Sequence, residues 1–349
     1  MQARTMVVMV AVAAMLLAAG RAKADVFNMG GTRNPDGTWN GLASLEMVPV
    51  GDPGNAVDAR FGGGHGAVGD AYNIGKYEVT AGQYCAFLNA VAKIDTYGLY
   101  NIHMDTYNGT DACNIKRTGP SGSFVYSVSA DWANLPVNFV SWGDAARFAN
   151  WIHNGQPRGA QNSGTTEDGA YYLNGAMTEA ELSAVTRKTN WKCAITSEDE
   201  WYKAAYYKSG STNAGYWFYP TSSNDMPQNT LINPDPGNQA NYSQPNGPPY
   251  MTHVGEFENS ASPYGTFDQG GNVWEWNEMI RYDSGYSMRG IRGGSCYTFG
   301  SYLAADFRGY SVVTSELNNI GFRIVTVPEP ASLAFLSAGG LMLLKRRRR

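Results

Sequence analysis

Near its C-terminal end the chain carries Gly270-Gly271-Asn272-Val273-Trp274-Glu275-Trp276, followed by Arg292-Gly293-Gly294-Ser295 and Ile320-Gly321-Phe322-Arg323. Two tryptophans flanking a glutamate after paired glycines constrain the fold strongly. The rings demand packing and the carboxylate demands a partner once water is excluded. Such a segment is a built site and not a solvated loop. Glycine, tyrosine and tryptophan are abundant here and charge is sparse, the composition of a loop-rich domain with few long helices.

Helix signals occur in three places. Tyr77-Glu78-Val79-Thr80 reads as a strand ending at an N-cap threonine, and the apolar spacing of Tyr84, Phe87, Leu88 and Val91 predicts a helix over 81–92. Ser141 caps a second helix, from Trp142 or Gly143 to Ile152, with Ala145, Phe148, Ala149 and Ile152 on one face. Ser197 and Glu200 form a capping box for a third, running to Tyr207. The acidic run Glu198-Asp199-Glu200 is read as serving that helix start. Residues 209–262 show no periodicity, yet their aromatics are too many for a linker, so an ordered loop is expected.

The two ends read differently from the middle. Arg4, an apolar run from Met6 to Ala19 and Ala22-Lys23-Ala24 form a secretory signal over residues 1–24, the run being shorter than the roughly 20 residues a spanning helix needs. Residues 25–44 form a lead-in segment, and the folded domain is placed at 45–326. Val327-Pro328-Glu329-Pro330 then opens a tail, 327–349, with an apolar run from Ala331 to Leu344 closed by Lys345 and four arginines. The prolines end the last strand, the apolar run enters a bilayer transiently, and the cations stay on the cytoplasmic face.

That tail resembles the PEP-CTERM sorting signal of Gram-negative bacteria. The resemblance implies an exosortase-type processing enzyme as partner, insertion in the inner membrane before processing, and a cell-envelope or extracellular destination. Removing the three basic residues of the signal and the five of the tail leaves 18 Lys plus Arg against the chain's 30 Asp plus Glu, near −12. A domain so acidic is not expected to bind nucleic acid and is suited to cations.

Six strings in order carry a second resemblance. The three C-terminal motifs are joined by Tyr77-Glu78-Val79-Thr80 through Phe87, Leu135-Pro136-Val137 through Ala146, and Ser197-Glu198-Asp199-Glu200-Trp201. Together they resemble the formylglycine-generating enzyme (sulfatase-modifying factor) family over about residues 45–326. The resemblance implies an α+β, C-type-lectin-like fold with long loops. Active members oxidise a cysteine of sulfatases with two copper-binding thiolates, three and eight residues after the serine of Arg-Gly-Gly-Ser. Here those positions are Thr298 and Leu303.

Cys296 follows Ser295 directly and has no local thiol partner. One soft ligand cannot make a linear bis-thiolate site, so copper is not expected, and Cys296 is read as a small apolar residue or half of a disulfide. Cys85, Cys113, Cys193 and Cys296 permit three pairings and single out none. The resemblance further implies a structural calcium held by the Asp268 and Glu275 carboxylates and the Gly271 and Val273 carbonyls. A second calcium would use Asn241 and the Tyr242 carbonyl, although Asn246-Gly247-Pro248-Pro249 offers no aspartate. One family arginine is missing, since Ala194-Ile195-Thr196 stands where Arg-Leu-Pro is usual. The expectation is an exported, non-catalytic module that binds a ligand or associates with exopolysaccharide. The alternative is a formylglycine-generating oxidase.

Overall fold

The computed structural model describes residues 26–27, 32–33, 39–40, 44–108, 111–244, 247 and 249–328. The expected signal (1–24), most of the lead-in segment, Asn246, Pro248 and tail residues 329–349 lie outside the described residues. Two sheets organise the molecule. The larger has five strands in the order Val26–Phe27, Leu45–Val50, Tyr72–Gly75, Ile324–Thr326 and Cys193–Ile195. The smaller places Gly309–Val312, Tyr286–Arg292, Trp274–Asp283 and Ile320–Gly321 side by side, the last pairing being parallel.

The long hairpin of the smaller sheet turns at Ser284-Gly285, where φ is 51° and 86°. Two consecutive left-handed residues match the right-handed twist of the flanking strands. The strand pairing slips between Arg289 and Ile291, so Trp276 and Glu275 sit opposite Ile291 and Arg292. That register brings the glutamate of one motif beside the arginine of the next.

Five α-helices are described: α1 (Ala81–Val91), α2 (Ala130–Ala133), α3 (Trp142–His153), α4 (Glu179–Ala184) and α5 (Glu198–Tyr206). All but α2 begin with a reciprocal capping box, in which an N-cap hydroxyl accepts from the N3 amide while the N3 side chain accepts from the N-cap amide. In α3 the box is Ser141 with Asp144, at 3.2 and 2.8 Å. The three helices expected from periodicity are present within a residue of their predicted bounds. The expected strand before α1 is not. The strand ends at Gly75, and Thr80 instead bridges Pro136 while capping the helix.

Helices α1 and α3 pack their aromatic faces together against the C-terminal motif. Phe148 meets Phe87 and Phe322 edge-on, each at 5.3 Å between ring centroids. Full burial of Phe322 contributes about 1.5–3 kcal/mol. Among the described residues of 209–262 there is no helix or strand, as the sequence suggests, and buried tyrosines order the stretch. Tyr216, for example, donates to the carbonyl of Ala56 at 2.7 Å.

Candidate functional site

The glutamate of the tryptophan motif lies fully buried against the arginine that closes the chain's last motif. Arg323 donates to both Glu275 carboxylate oxygens at 2.6 and 2.7 Å, and the Trp201 indole N–H donates at 2.7 Å. Arg323 also reaches the carbonyls of Gly75 and Phe267. A guanidinium fork is the donor that satisfies a carboxylate most completely out of water. Strings far apart in the chain thus meet on one ion pair.

Two more carboxylates stand beside it. Glu78 is 1 % exposed, and neither of its oxygens has a hydrogen-bond partner beyond its own backbone. Burial first, then the charges of Asp268 and Glu275, push its pKa well above the usual carboxylate range, with Arg323 opposing. Asp268 takes a left-handed backbone (φ 61°) and accepts from the Gly255 amide at 2.6 Å. Desolvation pushes its pKa up to about 6 against the pull of that amide and of Arg323. Three acids facing one cation leave an excess of negative charge, which must be met by protons or by a bound cation.

This arrangement bears on which side chains could meet a cation here. The Glu275 carboxylate is committed to Arg323 and Trp201, so the side chain free to ligate is Glu78, which the sequence pattern did not single out. Its signal was present: a charged residue between Tyr77 and Val79, directly before a capped helix, has no reason to be buried without a partner. Asp268 remains beside it. Gly271 (φ 89°) pairs with Asn241, and a Cβ there would lie 2.1 Å from the Asn241 carbonyl oxygen, so only glycine fits.

Asn241 Oδ1 is itself buried without a partner, while the Tyr242 carbonyl accepts from the Asn229 amide at 3.0 Å. Both expected ligand sets therefore border one another. Among the described residues, no group of three His, Cys, Asp or Glu side chains is placed to hold one ion. A hard cation here would therefore draw on backbone and amide oxygens as well as on Glu78 and Asp268.

The positions of the family's thiolates also converge. A Cβ built on Gly294 (φ 74°) would stand 2.9 Å from Leu303 Cδ1 and 3.0 Å from Thr298 Oγ1. The Thr298 hydroxyl donates to the Ser295 carbonyl at 2.9 Å and accepts from the Ser295 amide at 2.8 Å. Leu303 is fully buried and packs with Tyr219, Ala240, Tyr242 and Ala304. The backbone brings the two positions together, but one presents a satisfied hydroxyl and the other a hydrocarbon.

Cys296 points elsewhere, into a cluster with Leu135, Met251 and Val273. All four cysteines are buried and free. Burial pushes the Cys296 thiol far above its usual range, so it is an inert apolar filler.

The charged side chains around α5 are structural. Glu198 accepts a fork from Arg292 at 2.9 and 2.7 Å and also pairs with Arg308. Glu200 closes the α5 capping box and pairs with Arg187, whose guanidinium also reaches Glu278 and the Ile195 carbonyl. Arg187 thus supplies a cation beside the Ala194-Ile195-Thr196 stretch, arriving from outside the expected string.

A mixed α+β domain with this ion pair, two small sheets and long ordered loops defines a C-type-lectin-like protein of the formylglycine-generating-enzyme fold. The sulfatase-modifying factor enzyme 1-like domain family matches residues 50–327, and the chain belongs to that family. Among solved structures, Treponema denticola variable protein 1 is similar at 20% identity and TM-score 0.53, covering 87% of this chain and 99% of that one. PvdO from Pseudomonas aeruginosa aligns at 19% identity and TM-score 0.44, over 88% of this chain and 100% of its own. CarF aligns at 19% identity and TM-score 0.49, over 82% and 99%. No curated protein matches the chain.

Proposed function

We propose that the chain is an exported, non-catalytic binding module of this family, stabilised by calcium and associated with a ligand or exopolysaccharide at the cell envelope. The observation that carries the reading is the pair over Gly294: the fold presents the two positions an oxidase would need, and they hold Thr298 and Leu303. Without a thiol at either position, that point offers copper no pair of soft ligands. Calcium is supported by the unpartnered oxygens of Glu78 and Asn241 Oδ1. Glu78 and Asp268 would hold the ion with the carbonyls of Gly271 and Val273, and the ion would supply the positive charge that Arg323 alone does not. Export and an exosortase-type partner rest on the sequences of the two ends.

The test is an oxygen-consumption and aldehyde-formation assay on a cysteine-bearing sulfatase peptide, with copper supplied. No turnover is expected. A Thr298→Cys, Leu303→Cys double variant should bind Cu(I) at least about tenfold more tightly than its parent, because two thiols would then face one point. Shortening the buried Leu303 costs about 1–3 kcal/mol of stability, which the domain must survive for that measurement. Copper-dependent turnover by the unmodified chain would overturn the reading.

A further inference from the structure

Basic side chains on this acidic domain are mostly committed. Arg147 is held by Glu167, Arg187 by Glu200 and Glu278, Arg292 by Glu198 and Arg323 by Glu275. Lys93 and Arg158 are exceptions, both exposed and without an ion-pair or hydrogen-bond partner for their charged ends among the described residues. They line the same cleft, of about 440 Å³, beyond the C-terminal end of α1. No carboxylate lines that cleft. Two uncommitted cations on one concavity of a strongly acidic surface form a local positive site where the overall field is negative.

The geometry points to this cleft as the binding site for a carboxylate-bearing sugar, a uronic acid unit of a glycan chain. This deepens the reading of the chain as a ligand-binding module and rests on it. A guanidinium matches a carboxylate as a planar fork, and Lys93 can add a point charge to the same group. Thr96 offers an exposed hydroxyl at the wall, and Ile94, 58% exposed, offers an apolar surface for the C–H face of a ring. The volume falls within the range of small-ligand clefts.

Phosphate is the poorer fit. Sites for tetrahedral anions commonly add free backbone amides, at helix N-termini or glycine nests, to their Arg and Lys side chains. Here the amides of Gly122 and Gly159 are spent on the carbonyls of Lys93 and Ala90, at 2.9 and 3.1 Å. The helix end that faces the cleft is also the negative one, which disfavours a dianion more than a monoanion.

The experiment titrates the purified domain with a short oligomer of glucuronic acid by calorimetry, beside a neutral glucose oligomer, inorganic phosphate and an oligoglutamate peptide. Saturable binding of the glucuronate oligomer alone is expected. Lys93→Gln and Arg158→Gln should each weaken it by about tenfold, while Lys192→Gln, an exposed lysine outside the cleft, should leave it unchanged. Melting curves confirm that each variant is folded. Equal binding of phosphate or oligoglutamate would overturn the sugar assignment, and parent-like binding by both cleft variants would overturn the site. Absence of glucuronate binding would overturn the proposal but not the non-catalytic reading, which the copper and oxidase assays test separately.

Discussion

A buried carboxylate with no donor has two ways to persist, as the neutral acid or beside a cation, and Glu78 separates them by the sign of a stability change. Its folded pKa and that of Asp268 lie above their ordinary values. An acid raised in the folded state contributes stability that is present at low pH and lost as pH rises through the folded pKa. The chelated domain should therefore weaken between about pH 4 and the Asp268 value of about 6 and continue to weaken above it. Asp144, pushed up to about 6, and Glu316, pushed up to about 8, add the same sign and persist with metal. Calcium should flatten the part due to Glu78 and Asp268, adding about 2.7 kcal/mol at a hundredfold excess over Kd. Glu78→Gln should be at least as stable as the parent in chelator at pH 7 and should lose the calcium response. Urea unfolding with and without chelator measures both, and an unchanged calcium response would remove Glu78 from the site.

Secondary elements were most legible where a local rule is written in consecutive residues. The Ser141–Asp144 and Ser197–Glu200 boxes and the apolar spacing of 84, 87, 88 and 91 announce three helices because capping and periodicity act within one turn. Thr178-x-x-Glu181 obeys the same rule before α4, yet with Leu182 as the large buried residue of six the periodic signal is too short to read. The long hairpin also had its turn on view in Ser284-Gly285, but its strands carry both buried and exposed faces in irregular alternation. The partners of Glu275 and Arg187 could not be read, since each depends on segments that only the tertiary fold brings together. The α3 cap offers a direct check on the legible part. Ser141→Ala removes the acceptor of the Asp144 amide and leaves Asp144 without its reciprocal hydroxyl, so stability should fall by about 1 kcal/mol in denaturant unfolding. A change below a few tenths of a kcal/mol would mean that tertiary packing alone holds that helix start.

At the scale of the whole molecule, the C-terminal strand decides where the folded unit can be cut. Ile324–Thr326 pairs on one side with Tyr72–Gly75 and on the other with Cys193–Ile195, so it joins the C-terminal end of the domain to its early and middle parts. Directly before it, Arg323 neutralises Glu275 and Phe322 fills the interface of α1 and α3. Beyond it, the Val327 amide donates one hydrogen bond to the Lys192 carbonyl at 3.2 Å, and the residue is 39% exposed. Deleting 327–349 should therefore leave a cooperatively folding domain with the parent's melting behaviour and release it from any sorting step read from Pro328-Glu329-Pro330. Deleting 322–349 should abolish cooperative folding, because it removes a central strand, a core ring and the cation of a buried pair together; breaking the pair alone costs about 3–5 kcal/mol, a large share of the 5–15 kcal/mol typical of native proteins. Circular dichroism melts of the two truncations make the comparison. A folded shorter form, or an unfolded longer one, would show that the strand and its arginine do not close the domain.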